Sequence, residues 1–209
     1  MKPFQIRVSR RIALSLLAAP GLVLPIMVTN VLDPESGAHF YIAWFLSQIL
    51  SAVSIYLALS LFAEGTHNQD DLPRLARNAL LSALAVTGVG VGIAFLVGDK
   101  VLRVFGADYS AEATNLLRIL ALATVPGALI SVYLAAARIR KEIRSLIAVA
   151  AVVTVVTLAG SYVLLPRMGI AGAGWGALAG QGLGAAMAVV LMARSRLWPS
   201  PTAIRAGKP

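Results

Sequence analysis

The side chains that could do chemistry in this sequence are few and mostly neutral. Ser47, Ser51 and Ser54 recur at steps of four and three, so on a helix they share one face, with Gln48 beside it. Tyr41 precedes them and Asn30 is earlier still. Hydroxyls and amides grouped this way suit two roles. They could line an aqueous groove for sugar hydroxyls or phosphate, or they could hold helices together, at about 0.6 kcal/mol per contact. Arg118 adds one cation at the outer start of an apolar run. It could snorkel to phospholipid headgroups, or hold a pyrophosphate through its planar fork. Gln181 is isolated and reads as a packing contact. His39 and His67 lack metal-ligand spacing and read as solvated loop histidines.

Other chemistries find no support. The chain has no cysteine, which removes disulfides, thiolate catalysis and cysteine metal sites. No Asp, Glu, Lys or Arg falls in the central part of an apolar run, where an ionisable group would mark a proton or ion site. Metalloprotease, nucleophile-elbow and phosphate-loop patterns are missing. The sequence therefore predicts neither an enzyme nor a bound cofactor or metal.

The elements that must carry these residues are six long apolar runs, approximately Ile12–Leu32, Phe40–Ala63, Ala79–Val97, Leu116–Ala137, Leu146–Leu165 and Ala171–Met192. Each is about the 20 residues that cross a bilayer's hydrocarbon core. In lipid an unpaired backbone amide costs several kcal/mol, so such runs are expected to be helices. Composition agrees: 58% of residues are hydrophobic, 13% are charged, and mean hydropathy is +0.81. The predicted fold is an all-α membrane protein, a six-helix transmembrane bundle. Residues 1–11 form a basic cytoplasmic N-terminus, 12–192 the bundle, and 193–209 a cytoplasmic tail.

A net charge of +9 would suggest nucleic acid in a soluble chain. Its distribution points to a membrane instead. Fourteen of the eighteen basic residues precede the first run, follow the sixth, or lie between runs two and three or four and five. The alternate loops hold only Lys100, Arg103, Arg118 and Arg167. This positive-inside asymmetry places both termini in the cytoplasm. The first run has a basic lead like a signal peptide. It is longer than such a segment's roughly 7–15 apolar residues and no cleavage site follows it, so it reads as a retained span.

Local signals add detail. Asp33–Gly37 reads as a polar turn. Asp70 or Asp71 could cap a short helix with Pro73 in its first turn. The segment from Asp99 to Gly106 reads as a short amphipathic piece along the outer interface. Ser110 is expected to cap the next helix, with Glu112 near its positive end. Trp198 in the tail suits the interface. Pro20-Gly21, Pro25 and Pro126-Gly127 interrupt spans one and four, as hinges or simply as shape. Gly172, Gly176, Gly180 and Gly184 form a ridge along span six, for close packing within the chain or for a dimer seam.

One stretch resembles a known family. It opens on Phe105-Gly106-Ala107-Asp108-Tyr109, followed by Ala113 and Leu116-Leu117-Arg118-Ile119-Leu120-Ala121-Leu122. A span with a central proline and a basic loop come next. The following span closes on Leu164-Leu165-Pro166-Arg167-Met168-Gly169-Ile170-Ala171-Gly172-Ala173. The order resembles the C-terminal half of oligosaccharide-lipid flippases of the multidrug/oligosaccharidyl-lipid/polysaccharide exporter superfamily, most closely the O-antigen and exopolysaccharide flippases. Val31 to Ala43 is similar to the loop and opening of that family's eighth span.

The resemblance implies one lobe of a two-lobe, V-shaped transporter. Such a protein moves a polyprenyl-linked glycan across the bacterial cytoplasmic membrane by alternating access, its lobes related by an axis along the membrane normal. The first two spans of a lobe border the cavity in that fold. This supports a lining of Asn30, Tyr41, Ser47 and Gln48, with Ser51, from its spacing, and Arg118 as further candidates for the substrate. Family members carry twelve to fourteen spans, so the expected partners are a second lobe (a separate chain, a second copy, or the rest of a longer protein), the glycan lipid and membrane lipids. A non-transporting scaffold lobe and a multidrug exporter lobe stay open as alternatives.

Overall fold

The structure is a computed structural model and describes residues 3–67, 72–140 and 142–194. Six helices follow one another: α1 (Pro3–Val31), α2 (Pro34–His67), α3 (Leu72–Arg103), α4 (Ala107–Ile139), α5 (Ile143–Met168) and α6 (Ile170–Arg194). The described residues contain no strand, and the chain is an all-α bundle of membrane type. Helices α2 to α6 are each long and apolar enough to cross a bilayer. In α1 the described apolar part is shorter, Ala18–Val31.

Helix α4 is the axis of the bundle. It packs against α2, α3 and α6, while α5 joins α6 to α1. Within its most apolar window 67% of α4 is buried, against 22% for α2 and 17% for α3. The apolar surface of α2 and α3 therefore needs lipid to cover it, and that of α4 is covered by protein. Two cores sit at opposite ends of α4. Leu116, Leu117 and Leu120 meet Leu24, Val28, Phe40, Leu102 and Leu165 at one end. Val132, Tyr133 and Ile139 meet Ala58, Ala76, Leu146 and Met192 at the other.

The glycine ridge is an intramolecular seam between α5 and α6. A methyl added at Gly172 would meet the backbone of Leu164, at Gly176 that of Ser161, and at Gly180 that of Thr157. Gly160 answers from α5, where an added methyl would lie 3.3 Å from the Gly176 Cα. Ser161 Oγ crosses the seam to donate to the Ala173 carbonyl at 3.2 Å. Where lipid removes any hydrophobic drive between helices, such close approach supplies dispersion and interhelical hydrogen bonds.

Proline sets a second contact. Helix α1 continues through Pro20 and Pro25, and α4 through Pro126. Pro20 has no N–H for the carbonyl four residues back, which belongs to Leu16. Thr154 Oγ1 on α5 donates to that carbonyl at 2.5 Å, so the bond lost within α1 is recovered between α1 and α5. Thr154→Val should cost about 1 kcal/mol in mixed-micelle unfolding. The cost should shrink in a Pro20→Ala background, where an N–H returns to Leu16. Equal costs in both backgrounds would break this link.

Several local expectations change. Asp33 is not part of a simple turn but ends one: the Ser36 backbone N–H and the Ser36 hydroxyl both donate to its carboxylate, each at 2.8 Å, as α2 starts at Pro34. These two bonds from Ser36 hold the Asp33 carboxyl below its ordinary value. The stretch from Asp99 to Arg103 is the end of α3 and not a separate interfacial piece. Ser110 lies inside α4, whose N-cap is Gly106 at φ 141°, and Asp108 holds the first-turn position expected of Glu112. His39 is buried on α2, its ring edge-on to Tyr109 at 4.6 Å between centroids, and is no solvated loop residue. Pro73 does occupy the first turn of α3. Asp70, Asp71 and Trp198 lie outside the described residues.

Candidate functional site

Between the two cores the helices part around a groove of about 630 Å³. Helices α1, α2, α4, α5 and α6 all contribute to its wall. Proline and glycine shape it on two sides, through Pro20-Gly21 on α1 and Gly127 on α4. Opposite Gly127, the Gln181 side chain from α6 approaches so closely that its Oε1 would lie 3.5 Å from an added methyl. Gln181 is thus a groove residue as well as a packing contact.

Ser47, Gln48 and Ser51 line this groove together. Ser54 also reaches it but is bonded across helices, its hydroxyl 2.8 Å from that of Thr87 on α3. The two proposed roles for this face are therefore divided along it. Among the described residues Ser47 and Ser51 make no bond to another helix; their hydroxyls donate to the Trp44 and Ser47 carbonyls of α2 at 2.7 and 3.0 Å. Each retains acceptor capacity.

Sequence reasoning missed the wall that α4 provides. Thr124, Ser131 and Arg138 line the groove at intervals of seven residues, which keeps them on one face of α4. Thr124 Oγ1 donates to the Ala121 carbonyl at 2.6 Å and Ser131 Oγ to that of Gly127 at 3.0 Å. Thr157 of α5 completes the polar set. Most of the lining is apolar, and its polar part combines hydroxyl oxygens, the two carboxamides of Gln48 and Gln181, and one guanidinium towards the basic end of the bundle. No carboxylate lines it among the described residues. Such a surface hydrogen-bonds neutral hydroxyls and tolerates an anion.

Asn30 and Tyr41 stand apart. They share a shallower hollow of about 390 Å³ with Pro25, Ile26, Thr29 and Gly37, between α1 and α2 near their junction. The Asn30 side-chain N–H donates to the Ile26 carbonyl of its own helix at 2.8 Å. Arg118 enters neither hollow. It turns towards α3, where one Nη2 N–H donates to the Phe95 carbonyl at 3.2 Å and the guanidinium lies 5.7 Å from the centre of the Phe95 ring.

Comparison with protein-family models, with curated proteins and with solved structures gives no match to this chain.

Proposed function

We propose that this chain is a transporter lobe that helps carry a lipid-linked oligosaccharide or polysaccharide precursor across a bacterial cytoplasmic membrane by alternating access. One observation carries the reading: a groove of about 630 Å³, midway along an apolar bundle, whose mostly apolar wall carries hydroxyls and carboxamides from four helices. A bundle optimised only for packing would fill that space with apolar side chains, since a void forfeits dispersion contacts. Uncharged donors and acceptors match sugar hydroxyls, and Arg138 at one end suits the charge of a phosphate linkage. A proton- or sodium-coupled site built on a carboxylate has no counterpart in this lining. The lipid tail of such a cargo would stay in the bilayer while its head occupies the groove. The second lobe supplies the facing wall.

A second reading has its own observation. The Ser47, Ser51, Thr124 and Ser131 hydroxyls already donate to carbonyls of their own helices, so these four donors are satisfied without a ligand. That would suit a scaffold lobe that packs against a transporting partner.

Thiol labelling separates the two, because the chain contains no cysteine. Gln48→Cys, Ser51→Cys and Ser131→Cys should react in native membranes with a charged methanethiosulfonate, and a polyprenyl-diphosphate glycan should slow the reaction. Tyr162→Cys, on a surface 63% exposed along α5, should stay unlabelled within lipid. If the groove cysteines were as inert as Tyr162→Cys, or labelled without protection by the glycan, transport would lose its support.

A further inference from the structure

We propose that Arg118 and Phe95 form a binding site for the phosphate of a membrane lipid on the outer flank of the α3–α4 pair. This requires only that the bundle sits in a bilayer, and it is independent of the transport reading.

The position of the charge is the first argument. Arg118 stands eleven residues into α4, and Phe95 stands eight residues before the end of α3. Measured from the apolar runs, Arg118 and Phe95 each stand two residues inside the lipid boundary, or about 3 Å at 1.5 Å per residue, which is the level of lipid phosphates. A cation at that level, on the apolar edge of the bilayer, is best neutralised by an anion or water. Among the described residues it meets dipoles alone: the Phe95 carbonyl at 3.2 Å and the face of the Phe95 ring at 5.7 Å. Arg118 Nε is inaccessible and has no hydrogen-bond partner. No carboxylate among the described residues pairs with it, although Asp99 lies one turn beyond Phe95 on α3.

The second argument is the geometry of what remains. Of the guanidinium's five N–H groups, one serves Phe95 and the Nε–H is enclosed, leaving the others on the two Nη atoms. These form the edge that grips two oxygens of a phosphate. The third is the surroundings. Phe95 is 42% exposed, Leu96 79%, and Leu122, one turn beyond Arg118, 39%. This apolar surface can receive acyl chains beside the headgroup. An aqueous phosphate would find no such complement, so the chemistry selected is a phosphate joined to a lipid tail.

The test is native mass spectrometry of the chain in a neutral detergent, titrated separately with phosphatidylglycerol and a polyprenyl diphosphate. Wild type should retain phosphatidylglycerol, and Arg118→Gln should bind it about tenfold more weakly. Arg118→Lys keeps charge but not the fork and should fall between. Phe95→Leu removes only the ring and should lose about threefold, which keeps the test usable if Arg118→Gln fails to fold. Binding of polyprenyl diphosphate alone, still sensitive to Arg118, would keep the phosphate site and identify its source as cargo lipid. Affinities for both lipids that are unchanged in Arg118→Lys and Phe95→Leu would overturn the proposal.

Discussion

Replacing Gly176 by leucine should leave little folded protein after extraction into mild detergent. The added side chain would have to enter a seam already closed by Ser161, whose backbone atoms cannot move without displacing α5. Overpacking a core commonly costs about 1–3 kcal/mol, and the upper end applies where the neighbour is backbone instead of a flexible side chain. Gly180→Leu should behave alike, against Thr157 and the Val153 carbonyl. The matched control is Gly182, on the same helix, where an added methyl meets nothing within 4 Å. Gly182→Leu should unfold like wild type, so helix propensity cannot explain the contrast. Size-exclusion chromatography with a thermal ramp reads all three. A Gly176→Leu protein of wild-type stability but altered oligomeric state would mean that the ridge serves a second molecule and not α5.

That contrast shows where the sequence is informative. Four glycines at a four-residue spacing announce a flat helix face, because in lipid only small residues let backbones touch. Which helix touches them is a tertiary fact, set by Gly160 and Ser161 across the seam. The helices themselves were legible for a related reason: a bilayer tolerates almost nothing else from long apolar runs. Their ends were less so. Apolarity stops at the lipid boundary, while the hydrogen-bonded helix continues to a backbone signal such as the Asp33 cap or the positive φ of Gly106.

Half of the groove could be read from α2, where the serine spacing fixes a face. Face alone does not fix depth. Tyr41 and Gln48 are seven residues apart and share a side of α2, yet they differ in height by about 10 Å and fall in different hollows. The α4 wall was present as Thr124, Ser131 and Arg138 at intervals of seven, but three polar residues across two turns each stand out weakly among alanines and leucines. Arg118 was conspicuous by charge, and nothing in one dimension shows that it turns towards Phe95.

Filling the groove separates a transporting lobe from a scaffold more sharply than removing its polar groups. Ser131→Trp should reduce glycan export at least tenfold, measured as glycan displayed on the surface of cells carrying the variant. Ser131 is half-buried in the α4 wall, and its hydroxyl serves only the Gly127 carbonyl of its own helix, so the substitution breaks no bond between helices. The groove, at about 630 Å³, lies within the range of roughly 300–1,000 Å³ that small-ligand sites occupy. An indole ring therefore has room to fold inward and still removes much of the space a sugar would need. Stability in detergent should change little, which distinguishes blockade from misfolding. Val155→Trp is the comparison, since Val155 is 62% exposed on α5 and the same ring would meet lipid. Its export should equal wild type. A scaffold predicts no loss in either variant, because partner packing does not pass through the groove. Full export by a stable Ser131→Trp protein would leave the groove without a transport role, whatever its polarity.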